Sequence, residues 1–295
     1  MSQLRALVAT ELRQSVRSEI YTVALELERR LGGESVLFYG SALRADDLDG
    51  VLDFYVLQNG PRADLIWPRI SYHEIEVSGR TIRAKVASMP LETFERAASG
   101  KLIDTTIWAR FAQPSKLLLA RTSDVAERVV DAVVLSIRTA ARYAAVLGPA
   151  SGTAEEFWLA LFDRTFSLEF RVEKAGRGNS ILAANPAYFE WVLVLAWREL
   201  GLIPMGQHAP YSPMIDKAER RRWRGRWRRR RLAGKALGII RLLKAAWTFD
   251  GAARYALWKI ERHRGLRIEL TPWRERHPVL AAPGVLFHLW RTSNR

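Results

Sequence analysis

Apolar residues recur at three- and four-residue steps along positions 4–31, through Leu4, Leu7, Val8, Leu12, Val16, Ile20, Val23, Leu27 and Leu31. That period predicts one long amphipathic helix, ended by Gly32-Gly33, with its stripe facing a core. The pattern then changes. Residues 36–39 are a short β-prone run, and residues 51–57 are a second one, apolar except at Asp53 and Tyr55. Gln58-Asn59-Gly60-Pro61 marks a turn, and residues 66–70, with Trp67-Pro68, read as loop or short helix. SYHEIEV and RTIRAKVAS, joined through Ser78-Gly79, predict a β-hairpin. Helices are expected at 91–98 and 105–111, and a short strand at 116–120. From there helical patterns dominate, at 124–146, 154–166 and 187–200, with loops at GRGN and at 201–213. Three parts are expected: 1–120, 121–215 and 216–295.

The chemistry concentrates between the first two strands. Gly40 lets backbone amides approach a ligand closely, and Ser41 adds a hydroxyl. Asp53 places a carboxylate inside an apolar strand, which is costly unless something pairs with it. A divalent metal holding a phosphate chain would do so. This is the layout of a nucleotidyltransferase. The same residues also read as an ordinary Gly-Ser turn and a structural, hydrogen-bonding aspartate. A typical member of that superfamily carries a second aspartate two residues earlier. Here that position is Val51, so the partner acid is Asp49 or comes from another strand. On the hairpin, Glu74 and Glu76 share one strand face, as do Arg83 and Lys85 on theirs. They form either a solvated charge ladder or a metal-completing and phosphate-binding set. Arg110 and Lys116 bracket the turn at Pro114.

Composition narrows the classes. The 295 residues include no cysteine, which excludes disulfides, thiolate metal sites and cysteine nucleophiles. No two histidines show metal-ligand spacing. Charges at Arg5, Glu11 and Arg13 leave no signal-peptide apolar core, and no uninterrupted apolar run is long enough to predict a spanning helix. The net charge of +15 implies anionic partners. Much of it lies in RRRWRGRWRRRR, residues 220–231, followed by KALGIIRLLKAAW. Trp223, Trp227, Arg228, Lys235, Ile239, Ile240, Leu243, Lys244 and Trp247 give this stretch the composition of an interfacial helix. RNA binding and a solvated basic helix packed on the core are the other two readings.

Several segments in order resemble one family, the mitochondrial-type (translocator-maintenance) phosphatidate cytidylyltransferases. The residues are Tyr39-Gly40-Ser41-Ala42, Leu52-Asp53-Phe54, the hairpin with Gly79, Arg80, Ile82 and Arg83, IWARFAQPSKLLL with Arg110, Pro114 and Lys116, EFRVEKAGRGNSI, and the region from GKALGII to WKIERH. Ala42 and Ala109 stand where the family has glycine, and Gln113 where it has lysine. The resemblance implies an α/β nucleotidyltransferase domain with a mixed sheet, a helical or winged-helix-like second domain and a basic amphipathic C-terminal helix. It implies CMP transfer from CTP to phosphatidic acid with Mg²⁺, giving CDP-diacylglycerol and pyrophosphate. Asp53, Lys85 and Arg83 would be catalytic, Tyr39, Gly40, Ser41, Arg110 and Lys116 would bind nucleotide, and Asp53, Glu74 and Glu76 would hold the metal. The implied partners are CTP, phosphatidic acid and an anionic membrane surface, without nucleic acid. The implied setting is peripheral, on the cytoplasmic face of a bacterial inner membrane or the matrix face of a mitochondrial one. A nucleotidyltransferase acting on RNA or another small acceptor, and a non-catalytic binding protein on a degenerate fold of this kind, are the alternatives.

Overall fold

The computed structural model describes residues 1–45, 47–60, 68–167, 177–248, 250–264 and 268–276. Side chains at 45, 177, 235–239, 241–248, 263–264, 274 and 276 lie outside that description. The first apolar stripe forms two helices, α1 (Gln3–Leu12) and α2 (Ser18–Leu31), where one was expected. Leu4, Val8 and Leu12 of α1 join one core cluster, while Ile20, Val23 and Leu27 of α2 join another. The period is the same in both halves, so periodicity alone does not reveal the break. Gly32, in the left-handed conformation at φ 63°, ends α2 as expected.

Five strands follow: β1 (Gly33–Tyr39), β2 (Val51–Gln58), β3 (Arg69–Val77), β4 (Arg80–Pro90) and β5 (Ser115–Ala120). They form one mixed sheet in the order β3-β4-β2-β1-β5, antiparallel throughout except for the parallel pair β2-β4. The short helix α3 (Ser41–Ala45) links β1 to β2. The hairpin turns at Ser78-Gly79, both with positive φ.

Alternation along the strands sorts residues between two layers. Phe38, Leu52, Phe54 and Val56 face α2, with Ala42 of α3 beside them. Leu37, Tyr55, Leu57 and Met89 face a larger helical layer. That layer contains α4 (Leu91–Ala98), α5 (Thr106–Phe111), α6 (Ser123–Leu147), α7 (Ala154–Phe166), α8 (Arg177–Ala184) and α9 (Pro186–Glu199). A capping box at Thr153 and Glu156 opens α7. Most of the GRGN segment, expected as loop, starts α8 instead. A Cβ on Gly178 there would stand 3.2 Å from Leu159 Cδ2 and 3.8 Å from Phe162 Cβ, so the missing side chain lets α8 lie close on α7. The apolar core runs unbroken from the sheet through α6, α7 and α9 to Trp223 and Trp227, crossing the boundaries expected at 120 and 215.

The helix α10 (Lys217–Thr248) leaves this layer and leads to Asp250, whose carbonyl accepts the Tyr72 amide at 2.8 Å on the outer strand β3. The helix α11 (Ala252–Arg264) then returns along the sheet, and α12 (Pro272–Arg276) follows, joined to it by an Arg254–Glu275 ion pair at 2.6 Å. No single helix among the described residues is long and apolar enough to cross a membrane.

Candidate functional site

Asp53 pairs across β1 with Tyr39 and across β4 with Lys85, and Lys85 pairs with Tyr72 of β3. Paired residues share a face, so Tyr39, Asp53, Tyr55, Arg83, Lys85, Tyr72 and Glu74 all point to the side of the helical layer. Asp53, Lys85, Tyr39 and Arg83 are half-buried and Ser41 is exposed, so this part of the sheet opens to solvent.

Gly40 sits directly over the aspartate. Its φ is 98°, and a Cβ there would stand 2.9 Å from Oδ2 of Asp53 and 3.4 Å from its Cβ. Only glycine allows both the conformation and the approach. Ala42 is 8% exposed and packs its methyl into the α2-side core, away from the carboxylate.

Arg110 reaches the same face from α5. Its Nη1 donates to the Tyr55 hydroxyl at 2.9 Å, and its guanidinium lies 5.2 Å from the Tyr39 ring centre and 5.9 Å from that of Tyr55. Tyr55 in turn packs edge-on to Phe111, with ring centres 5.2 Å apart. The arginine is thus aimed by two aromatic rings whose positions the sheet register sets.

The opposite flank is formed by α11, which sequence reasoning did not place here. Tyr255 packs on Tyr72 at 5.4 Å, and Trp258 lies 5.4 Å from the Arg83 guanidinium. Arg262 lies 5.3 Å from Trp258 and donates to the Asp49 carbonyl at 2.7 Å. Asp49 also pairs with Arg80. The aromatic and basic residues of WKIERH were the available signal, but their distance in sequence from Asp53 concealed it. Burial and the hydrogen bond to Glu74 push the Tyr72 phenol well above its ordinary range, so it stays protonated and donates to Glu74 at 2.9 Å.

Three expected site residues are not brought to Asp53. Glu76 bonds Thr81 near the hairpin turn, four residues along β3 from the level of Lys85, or roughly 13 Å of strand. Glu74 lies two strands from Asp53, across about 9–10 Å of sheet, and is held by Tyr72 and by Arg83 at 3.8 Å. Neither shares a coordination sphere with Asp53. Lys116 is the clearer correction. It pairs with Phe38, so it faces the α2 side of the sheet, opposite to Asp53. Only 5% exposed, it donates to the Glu11 carbonyl at 3.0 Å, to the Glu11 carboxylate and to Gln14 Oε1 at 2.6 Å. Its three protons close the end of α1 where the chain turns into α2.

The tail residues also separate. Trp223 and Trp227, expected at a lipid surface, are 9% and 7% exposed and pack on Tyr143 at 5.1 and 5.6 Å. Burying these large rings against α6 fixes the first half of α10 to the core. Arg228 is exposed and Ile240 is 44% exposed. The side chains of Lys235, Ile239, Leu243, Lys244 and Trp247 lie outside the described ones.

No group of three or more acidic or histidine side chains that could hold a metal occurs among the described residues. Comparison with family models and with curated proteins finds no match to this chain. What the site offers is a hard carboxylate oxygen under a glycine turn, with Lys85, Arg83 and Arg110 on the same face. One carboxylate fits the way Mg²⁺ is commonly held, with substrate phosphates and water completing the shell.

Proposed function

We propose that this chain is a phosphatidate cytidylyltransferase of nucleotidyltransferase fold, transferring CMP from CTP to phosphatidic acid at an anionic membrane surface. The observation that carries the reading is the close approach of Gly40 to Asp53 on a face that also presents Lys85 and Arg110. The Gly40-Ser41 backbone and the Ser41 hydroxyl bind the terminal phosphates of the nucleotide. Asp53 would hold Mg²⁺ together with the triphosphate, and the bound ion would neutralise charge on the α-phosphate and on the departing pyrophosphate.

A phosphate oxygen of the lipid attacks the α-phosphorus in line, and the bond from that phosphorus to the bridging oxygen of pyrophosphate breaks. The attacking group is already an anion, so no strong general base is needed. The obstacle is repulsion between two anions, which Lys85, Arg83 and Arg110 offset from fixed positions. Lys116 is left out of this set because its protons are committed to α1.

The test is formation of CDP-lipid from labelled CTP and phosphatidic acid vesicles with Mg²⁺, for the wild type and for Asp53→Ala. Product with the wild type and its loss in the variant are expected. Equal turnover in both removes Asp53 from the mechanism, and label transferred to RNA instead of lipid replaces the acceptor.

A further inference from the structure

We infer that the loop of residues 100–104 and the exposed side chains of α10 beside it, Arg229, Arg231 and Leu232, form one surface that docks on an anionic phospholipid bilayer. The loop is a built feature. Gly100 has φ 67°, and a Cβ there would stand 2.8 Å from Thr139 Cγ2 of α6, so the chain lies tight against that helix. Thr139 Oγ1 donates to the Ala98 carbonyl at 2.9 Å, and Asp104 accepts the Thr106 amide at 2.6 Å. Between these anchors Arg230, 6% exposed, donates to the carbonyls of Gly100 and Leu102, the latter at 2.9 Å. Its guanidinium lies 5.3 Å from the Tyr143 ring. Arg230 therefore rivets α10 to the loop.

What this leaves outside is informative. Lys101 is exposed, and Ile103 exposes 50% of its surface although the loop that carries it is fixed. Among the described side chains of α10 the buried positions are 223, 227 and 230, while Arg229 and Arg231 are exposed and Leu232 is 76% exposed. Cations stand beside projecting aliphatic side chains on both elements. Lysine and arginine suit anionic headgroups, and isoleucine and leucine suit the boundary of the acyl chains. A single-stranded polynucleotide would call for exposed rings on which bases stack. Among the described side chains of α10 the two rings, Trp223 and Trp227, are taken by the core. Charge and exposed side chains together favour the bilayer.

The inference rests on the membrane part of the reading above and not on its chemistry. Vesicle binding requires neither CTP nor turnover. A chain that binds vesicles and makes no CDP-lipid sinks the transfer reading alone, and one that makes CDP-lipid with unaltered vesicle binding in the variants below sinks this one alone.

The experiment is co-sedimentation of the full chain with vesicles of phosphatidylcholine alone or mixed with phosphatidylglycerol. Lys101→Glu and Ile103→Asp are compared with Leu25→Asp, an exposed position on α2. Binding to the mixed vesicles is expected in the wild type and in Leu25→Asp, and a loss of about tenfold in each loop variant. Thermal melts check that all four proteins are folded, as surface substitutions normally are. Unchanged sedimentation of folded Lys101→Glu and Ile103→Asp overturns the proposal. So does weak binding to both vesicle types together with tight binding to a fluorescent single-stranded RNA that the loop variants weaken.

Discussion

Gly40 and Asp53 lie so close that the glycine has no room for a side chain: the nearest carboxylate oxygen is 2.9 Å from where its Cβ would stand. The contact joins the turn that follows β1 to the third residue of β2 and holds the turn and the carboxylate as one unit. Gly40→Ala should therefore cost stability twice, through positive φ and through collision, by roughly 2–3 kcal/mol. Gly32→Ala is the control. It has φ 63° with nothing within 4 Å and should cost about 1 kcal/mol. Urea melts of the two variants give the comparison, and equal losses would mean that the Asp53 contact does not matter.

Arg110 is held by Tyr55 and stacked on Tyr39. Tyr55→Phe removes the hydroxyl that accepts from Arg110 and leaves the ring in place. The expected result is a fall in CDP-lipid formation of about tenfold with a nearly unchanged melting temperature. Arg110→Lys should fall further, since an ammonium keeps the charge but loses the planar contact with both rings. Full activity in Arg110→Lys would reduce its role to charge alone.

Lys116 and Glu11 are 7% and 13% exposed in their side chains, so removing one strands the other. Lys116→Met is expected to destabilise the fold by about 3–5 kcal/mol, and Glu11→Gln in the same chain should recover part of that. Equilibrium unfolding of the single and double variants measures the recovery. A mild loss in Lys116→Met, accompanied by weaker CTP binding, would return this lysine to the nucleotide.

Trp227 is expected to behave as core. Trp227→Ala should lose about 3–5 kcal/mol. Anionic vesicles should leave its emission shielded, as tested by lipid-borne quenchers in a chain whose other tryptophans are replaced.

His73 gives a pH dependence. Burial, with Arg30 nearby, lowers its pKa from the ordinary 6.5, while Asp250 opposes the shift. The unfolded chain then binds the proton more readily, so stability is fully present above 6.5 and declines as pH falls from there toward the lower folded value. His73→Gln should flatten that limb in melts taken between neutral and mildly acid pH. An unchanged slope would assign it to other groups.

The strands, the hairpin and most helices could be read along the chain because alternation and helical period are local properties. So was the pairing of a glycine-serine turn with Asp53, since the turn directly follows the apolar run at 36–39 and Asp53 stands third in the next run, 51–57. Periodicity alone did not reveal the break between α1 and α2, because both layers of a sandwich reward the same spacing. The face on which a basic residue emerges was equally hidden. Lys116 and Arg110 lie six residues apart, yet one secures α1 on the α2 side and the other lies over the Tyr39 ring on the helical side. Trp223 and Trp227 have the composition of a membrane helix, but the Tyr143 ring on α6 claims them first. Residue types and their local order thus came from the sequence by itself. Which partner each charge and ring meets was decided by strand register and helix packing, because those contacts join residues far apart in the chain.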